Sequence, residues 1–215
     1  MRRPTSHLRL AAAAGLALGA CVSLPRPEPV DLFTIDPRLE GEAVAGAGPA
    51  IFVAAPRGGP GIEGPRMAYL RRPNELAYYA RSQWAEPPAR MLRPLLVRAL
   101  ERTGRFQAVT EVAPGAPGGL RLETEVARLQ QEFTERPSRV RLTLRLELTD
   151  AASRRVVGTR EIETVEIAPS DDAPGGVAAA NAAVRRALAA AAQWCGSVIS
   201  PAASPRAPSR PPRDP

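Results

Sequence analysis

The chain has 215 residues and a formal net charge of +7, its cations are arginines without one lysine, and only 4% of it is aromatic. Its single histidine, His7, lies in the leader described below, so the remainder offers no Ser-His-Asp or Cys-His catalytic arrangement and no His-containing zinc site. The arginines are scattered rather than gathered with aromatics on one face, which argues against nucleic acid as a partner.

Residues 1–20 read as a bacterial lipoprotein signal peptide. Arg2, Arg3 and Arg9 form a basic start, Leu10 to Ala17 is an apolar run too short to span a bilayer, and Leu18-Gly19-Ala20-Cys21 completes a lipobox. Cys21 is then the site of lipid attachment and the first residue of the mature chain. Two or three acyl chains hold a protein on a membrane where one is marginal. Val22, rather than an aspartate, follows the cysteine, which favours the outer membrane over the inner one. Residues 21–30 form a tether stiffened by Pro25, Pro27 and Pro29. With Cys21 acylated, Cys195 has no intrachain partner and is expected in the core as a small hydrophobe.

The folded domain is expected over residues 31–199. Leu32 to Ile35 reads as an edge strand and Ile51 to Val53 as a short buried one. Arg57 to Pro65 is glycine-rich but lacks the Gly-Lys-Ser/Thr ending of a phosphate loop, so it reads as a connection. Met67 to Arg71 and Leu76 to Arg81 form a hairpin around Arg72-Pro73-Asn74-Glu75, where proline presets φ and Asn tolerates the left-handed region. A helix follows, with Pro87 in its first turn and Leu92, Leu95, Leu96, Ala99 and Leu100 on one stripe. Pro94 falls on its outer side with an expected kink, and Gly104 is placed to end it at C′.

Phe106 to Val109 reads as a short strand and Ala113 to Gly119 as a loop. Leu120 to Val126 and Val140 to Thr149 alternate apolar and polar residues, the mark of an antiparallel sheet with one packed face. Asp150 to Ser153 turns the chain into a third strand, Val156 to Ile167. Asp172 to Ile199 is a long helix whose seam runs through Val177, Asn181, Val184, Leu188, Ala191, Cys195 and Val198. Residues 200–215 hold no apolar residue larger than alanine and are expected to be a disordered tail. The fold class is therefore α+β: a single domain with a largely antiparallel sheet and two main helices packed on one face.

Candidate chemistry is sparse. All three tyrosines (Tyr69, Tyr78, Tyr79) and one of the two tryptophans, Trp84, cluster between Met67 and Phe106. They form either a packing nucleus or a surface for a partner. Two acidic groups are conceivable for carboxylate-only hydrolysis. Asp171-Asp172 reads better as a helix N-terminus, and Glu161, Glu163 and Glu166 as the wet face of a sheet. No enzyme activity, metal or cofactor is expected.

The run AYLRRPNELAYYARSQWAEPPARMLRPLLVRAL, residues 68–100, resembles the signature region of the ABC-type transport auxiliary lipoproteins, the family of the paraquat-inducible protein C lipoprotein. The matching residues are Arg72, Pro73, Glu75, Leu76, Tyr78, Tyr79, Trp84, Pro87 and Leu96; Pro94 and the Pro-rich tail depart from the pattern. The resemblance implies a lipoprotein without chemistry of its own that docks an MCE-domain protein at the periplasmic face of the outer membrane, beside ABC transporter subunits in a lipid transport system. It makes Glu75, Tyr78, Tyr79 and Trp84 candidates for partner docking or a structural nucleus. A homo-oligomer is compatible with it. The alternative is a lipid-binding or envelope-assembly lipoprotein unconnected with MCE proteins.

Overall fold

The computed structural model describes residues 29–112 and 118–199. The signal peptide, Cys21, most of the tether, part of the Ala113–Gly119 loop and the C-terminal tail lie outside the described residues. The elements run β1 (Asp31–Phe33), β2 (Ile51–Val53), β3 (Arg57–Gly58), β4 (Arg66–Leu70), β5 (Leu76–Trp84), α1 (Pro88–Glu101), β6 (Val109–Thr110), β7 (Leu120–Glu132), β8 (Arg139–Asp150), β9 (Val156–Ile167) and α2 (Ala173–Ile199).

Strand β7 is the spine of one nine-stranded sheet. Along one edge it pairs with β8 over its whole length, antiparallel, and β8 pairs likewise with β9. Along its other edge lie three short parallel strands placed end to end: β2 beside Leu120–Leu122, β3 beside Glu125–Val126 and β4 beside Gln130–Glu132. Antiparallel β5 extends the sheet from β4, and β1 joins β5 in parallel. The long ladders are thus antiparallel and the parallel ones span two or three residues each. The fold is α+β, as the alternation predicts.

One face of the sheet carries the core. Leu122, Val126, Leu142, Leu144 and Leu148 pack there under Leu92, Leu95, Leu96 and Leu100 of α1 and Val184, Leu188 and Cys195 of α2. All five stripe residues of α1 are buried and Pro94 is exposed within an uninterrupted helix, because the outer side has no neighbour for its ring to meet. Alanines 179, 180, 183, 187, 191 and 192 are buried too, so α2 lies close to the sheet over a broader strip than the expected seam. Asp172 caps α2, its Oδ1 accepting from Gly175 N at 2.8 Å.

The structure moves several expected boundaries. β1 stops at Phe33, and Ile35 turns into the core. Phe106 is a core residue ahead of the two-residue β6. The glycine-rich connection contains β3. Helix α1 ends at Glu101 with Arg102 as its cap, so Gly104, at φ +60°, turns the chain one residue later than C′. β7 continues well past Val126, because a bulge between Val126 and Arg128 shifts the alternation by one residue and brings Leu129 and Gln131 inward.

Candidate functional site: the aromatic hairpin and its groove

The hairpin of β4 and β5 turns at Arg72 to Glu75. Glu75 N donates to Arg72 O at 3.2 Å, and Asn74 takes φ 64°, the left-handed conformation expected of it. Every residue from Arg71 to Leu76 is exposed. At the tip Arg72 and Glu75 pair at 3.4 Å with side chains 80% and 58% exposed, a geometry that adds little stability.

Successive side chains of β5 point to opposite faces, which separates the two adjacent tyrosines. Tyr78 is half-buried, donates its hydroxyl to Gly61 O at 2.8 Å and lies under the Arg66 guanidinium, 3.7 Å from the ring centre. Tyr79 packs against Tyr69 with ring centres 5.0 Å apart, and Tyr69 meets Phe133 edge-on at 5.9 Å. Trp84 is 4% exposed and belongs to the core. The four residues singled out in the sequence therefore do not form one patch. Trp84 is structural, Tyr78 and Tyr79 are divided between two environments, and Glu75 pairs with Arg72 at the tip, apart from the other three.

Behind Tyr79 runs a buried polar chain that no sequence pattern announces. The Tyr79 hydroxyl donates to Gln131 Oε1 at 2.8 Å, Gln131 Nε2 donates to Ser138 Oγ at 2.9 Å, and Ser138 N donates to Asp171 Oδ1 at 2.7 Å. Burial pushes the Tyr79 hydroxyl up to about 12, with the negative charge of Asp172 acting in the same direction. The Ser138 N–H holds Asp171 below the usual carboxylate range; Ser170 Oγ and Gly175 N do the same for Asp172. Both aspartates thus have structural work at the head of α2.

In front of the Tyr69–Tyr79 pair lies an open groove of ≈ 1180 Å³. Arg71, Arg136, Phe133, Asp31 and the head of α2 line it, with Pro29 at its margin. Arg71 sits 5.4 Å from the Tyr69 ring centre. Arg136 is 91% exposed and reaches Asp171 only at 3.9 Å. Neither arginine nor Phe133 was signalled by the sequence as a ligand-facing group; Arg71 belongs to the hairpin, and the parallel pairing of β4 with the end of β7 brings Phe133 and Arg136 beside it.

The second acidic group divides. Glu161 and Glu163 stand on the open face of the sheet, paired with Arg145 at 3.0 Å and Arg141 at 2.5 Å. Arg141 also grips Glu132 at 2.8 Å. Burial would raise that carboxyl, but the hydrogen bonds from Arg141 and Gln130 and the charges of Arg141 and Arg128 together outweigh it and hold Glu132 below its ordinary value. Glu166 is a correction: it lies three positions, an odd offset, beyond Glu163, so it faces the helices and pairs with Arg186 of α2 at 2.5 Å. These carboxylates are neutralised by arginine, with no two poised as acid and base. Among the described residues no three His, Cys, Asp or Glu side chains gather as a metal site. No described helix is long and apolar enough to cross a membrane.

The family model described as ABC-type transport auxiliary lipoprotein component matches residues 33–192. Among solved structures, a Xanthomonas campestris protein is similar at TM-score 0.69 and 23% identity, over 78% of this chain and 95% of that one. An uncharacterized protein is similar at TM-score 0.63 and 14% identity, over 78% and 99%. A dodecameric PelC from Paraburkholderia phytofirmans aligns at TM-score 0.40 and 15% identity, over 70% and 93%. No curated protein matches the chain.

Proposed function

The chain belongs to the ABC-type transport auxiliary lipoprotein family, and from that membership we propose that it is the docking or scaffold subunit of an ABC/MCE-type lipid transport system. Lipid on Cys21 anchors it to the periplasmic face of the outer membrane, and it holds an MCE-domain protein there. The family is a transport auxiliary component rather than an enzyme family.

The observation that carries the docking role is a division within the family-like residues. Trp84 and Leu96 are in the core, where packing accounts for them. Arg72, Pro73 and Glu75 are exposed at the hairpin tip, where packing accounts for none of them, whereas Leu76, 40% exposed, lies against Gly61. An exposed tip raised on a paired hairpin suits recognition by a second protein. The test is affinity capture from detergent-solubilised envelopes. Recovery of an MCE-domain protein with the intact chain, lost when Arg72 and Glu75 are both replaced by alanine, supports the role. Recovery of unrelated outer-membrane proteins alone refutes it.

A further inference from the structure

The groove beside the hairpin carries chemistry that docking at the tip leaves unused. Its rim holds both signs of charge: Arg71, Arg81 and Arg136 against Asp31, Asp171 and Asp172. A ligand of one sign would be repelled by half of them. The two aspartates at the head of α2 are engaged by Ser138, Ser170 and Gly175. The Asp31 carboxylate, by contrast, makes no side-chain hydrogen bond or ion pair among the described residues. Arg71 and Arg136 hold their guanidinium groups against a ring face and in solvent, respectively. Guanidinium forks match phosphate oxygens, while an ammonium group is drawn to a carboxylate and to aromatic faces. The floor of Tyr69, Tyr79 and Phe133 supplies such faces.

We infer that this groove binds the zwitterionic headgroup of a bilayer phospholipid, with the phosphate on Arg71 and Arg136 and the ammonium at Asp31 and the tyrosine rings. One further fact favours a membrane lipid over a small solute. Pro29 and Asp31 line it, and the eight residue steps from Cys21 to Pro29 reach at most about 29 Å. A Cys21-anchored chain therefore keeps this groove close to the headgroup layer. The bilayer as source rests on the anchor proposed above; the headgroup chemistry does not.

The test uses the full-length chain in non-ionic detergent, titrated by calorimetry with glycerophosphoethanolamine, glycerophosphate and glycerophosphoglycerol. Saturable binding of the zwitterion is expected. Arg71→Ala with Arg136→Ala should weaken it about tenfold, the loss of charge-assisted contacts. Asp31→Asn should remove the preference for the zwitterion over the two anions while leaving phosphate binding in place. In nanodiscs, a photoreactive phosphatidylethanolamine should label residues 69–82 or 133–136. Cys21→Ser should lose that labelling yet keep binding to the free headgroup, which separates failure of the anchor from failure of the site. Absence of saturable binding, indifference to the arginine changes, or equal affinity for all three headgroups overturns the inference. So does an acidic peptide that occupies the groove where the headgroups do not.

Discussion

Gly176 of α2 offers a sharp test of the buried polar chain. A Cβ at this position would lie 2.1 Å from Gln131 Oε1 and 2.8 Å from Gln131 Cδ, so Gln131 must move if alanine is introduced. Gln131 is 4% exposed and is held at both ends of its amide, by Tyr79 and Ser138. Displacing it breaks two hydrogen bonds worth about 1 kcal/mol each and strands buried polar atoms at a further ~1–3 kcal/mol. Alanine in place of glycine within a helix returns about 1 kcal/mol. Gly176→Ala should therefore destabilise by about 2–4 kcal/mol. With Gln131→Ala already present, the obstruction is gone and the same change should stabilise by up to about 1 kcal/mol. Urea unfolding of the four proteins in this double-mutant cycle, followed by tryptophan fluorescence, measures the coupling. A Gly176→Ala cost that is equal in both backgrounds, or absent in both, refutes the assignment of Gln131 as the keystone behind Tyr79.

Three other outcomes are expected. Asp171 and Asp172 have depressed folded-state pKa values, so their stabilising contribution is complete above the ordinary carboxylate range and is lost as pH falls through the folded-state values. Replacing both with asparagine should flatten the acid limb of a thermal-stability profile between about pH 5 and pH 2. At the hairpin tip, Arg72→Ala with Glu75→Ala should change unfolding free energy by less than about 0.5 kcal/mol, because both side chains are largely exposed; a larger loss in urea unfolding would make the tip structural. Burial pushes the Cys195 thiol up to about 12, so it should resist maleimide in the native protein and react once urea unfolds the chain. Rapid labelling of the native chain would displace Cys195 from the core.

Elements with an uninterrupted period were legible in the sequence. β8 and β9 match the expected strands to within a residue, and the apolar stripe of α1 is the buried stripe. The second half of β7 was not legible, since the bulge after Val126 reverses inside and outside, and a reader following one parity sees the pattern end there. Of the short parallel strands, β2 and β4 were legible as strands but their pairing with β7 was not, because the partner residues are remote in the chain; β3, two residues long, carries no period and was missed. The same long-range pairing hid the groove. Phe133, Arg136 and Gln131 are unremarkable as letters and acquire meaning only where β7 ends beside the tyrosines. The tyrosine cluster announced the right region without announcing that its members divide between core, polar chain and groove.

The sheet also implies an order of assembly. β7, β8 and β9 are joined by connections of a few residues, so their ladders close at small entropic cost. Ile51, by contrast, must find Leu120 across about seventy intervening residues, and Ala68 must find Gln130 across about sixty. On sequence separation the carboxy-terminal meander is expected to form first, with the amino-terminal third of the domain added later along its spare edge. A chain that emerges amino terminus first thus presents its hairpin before the surface on which the hairpin comes to rest exists.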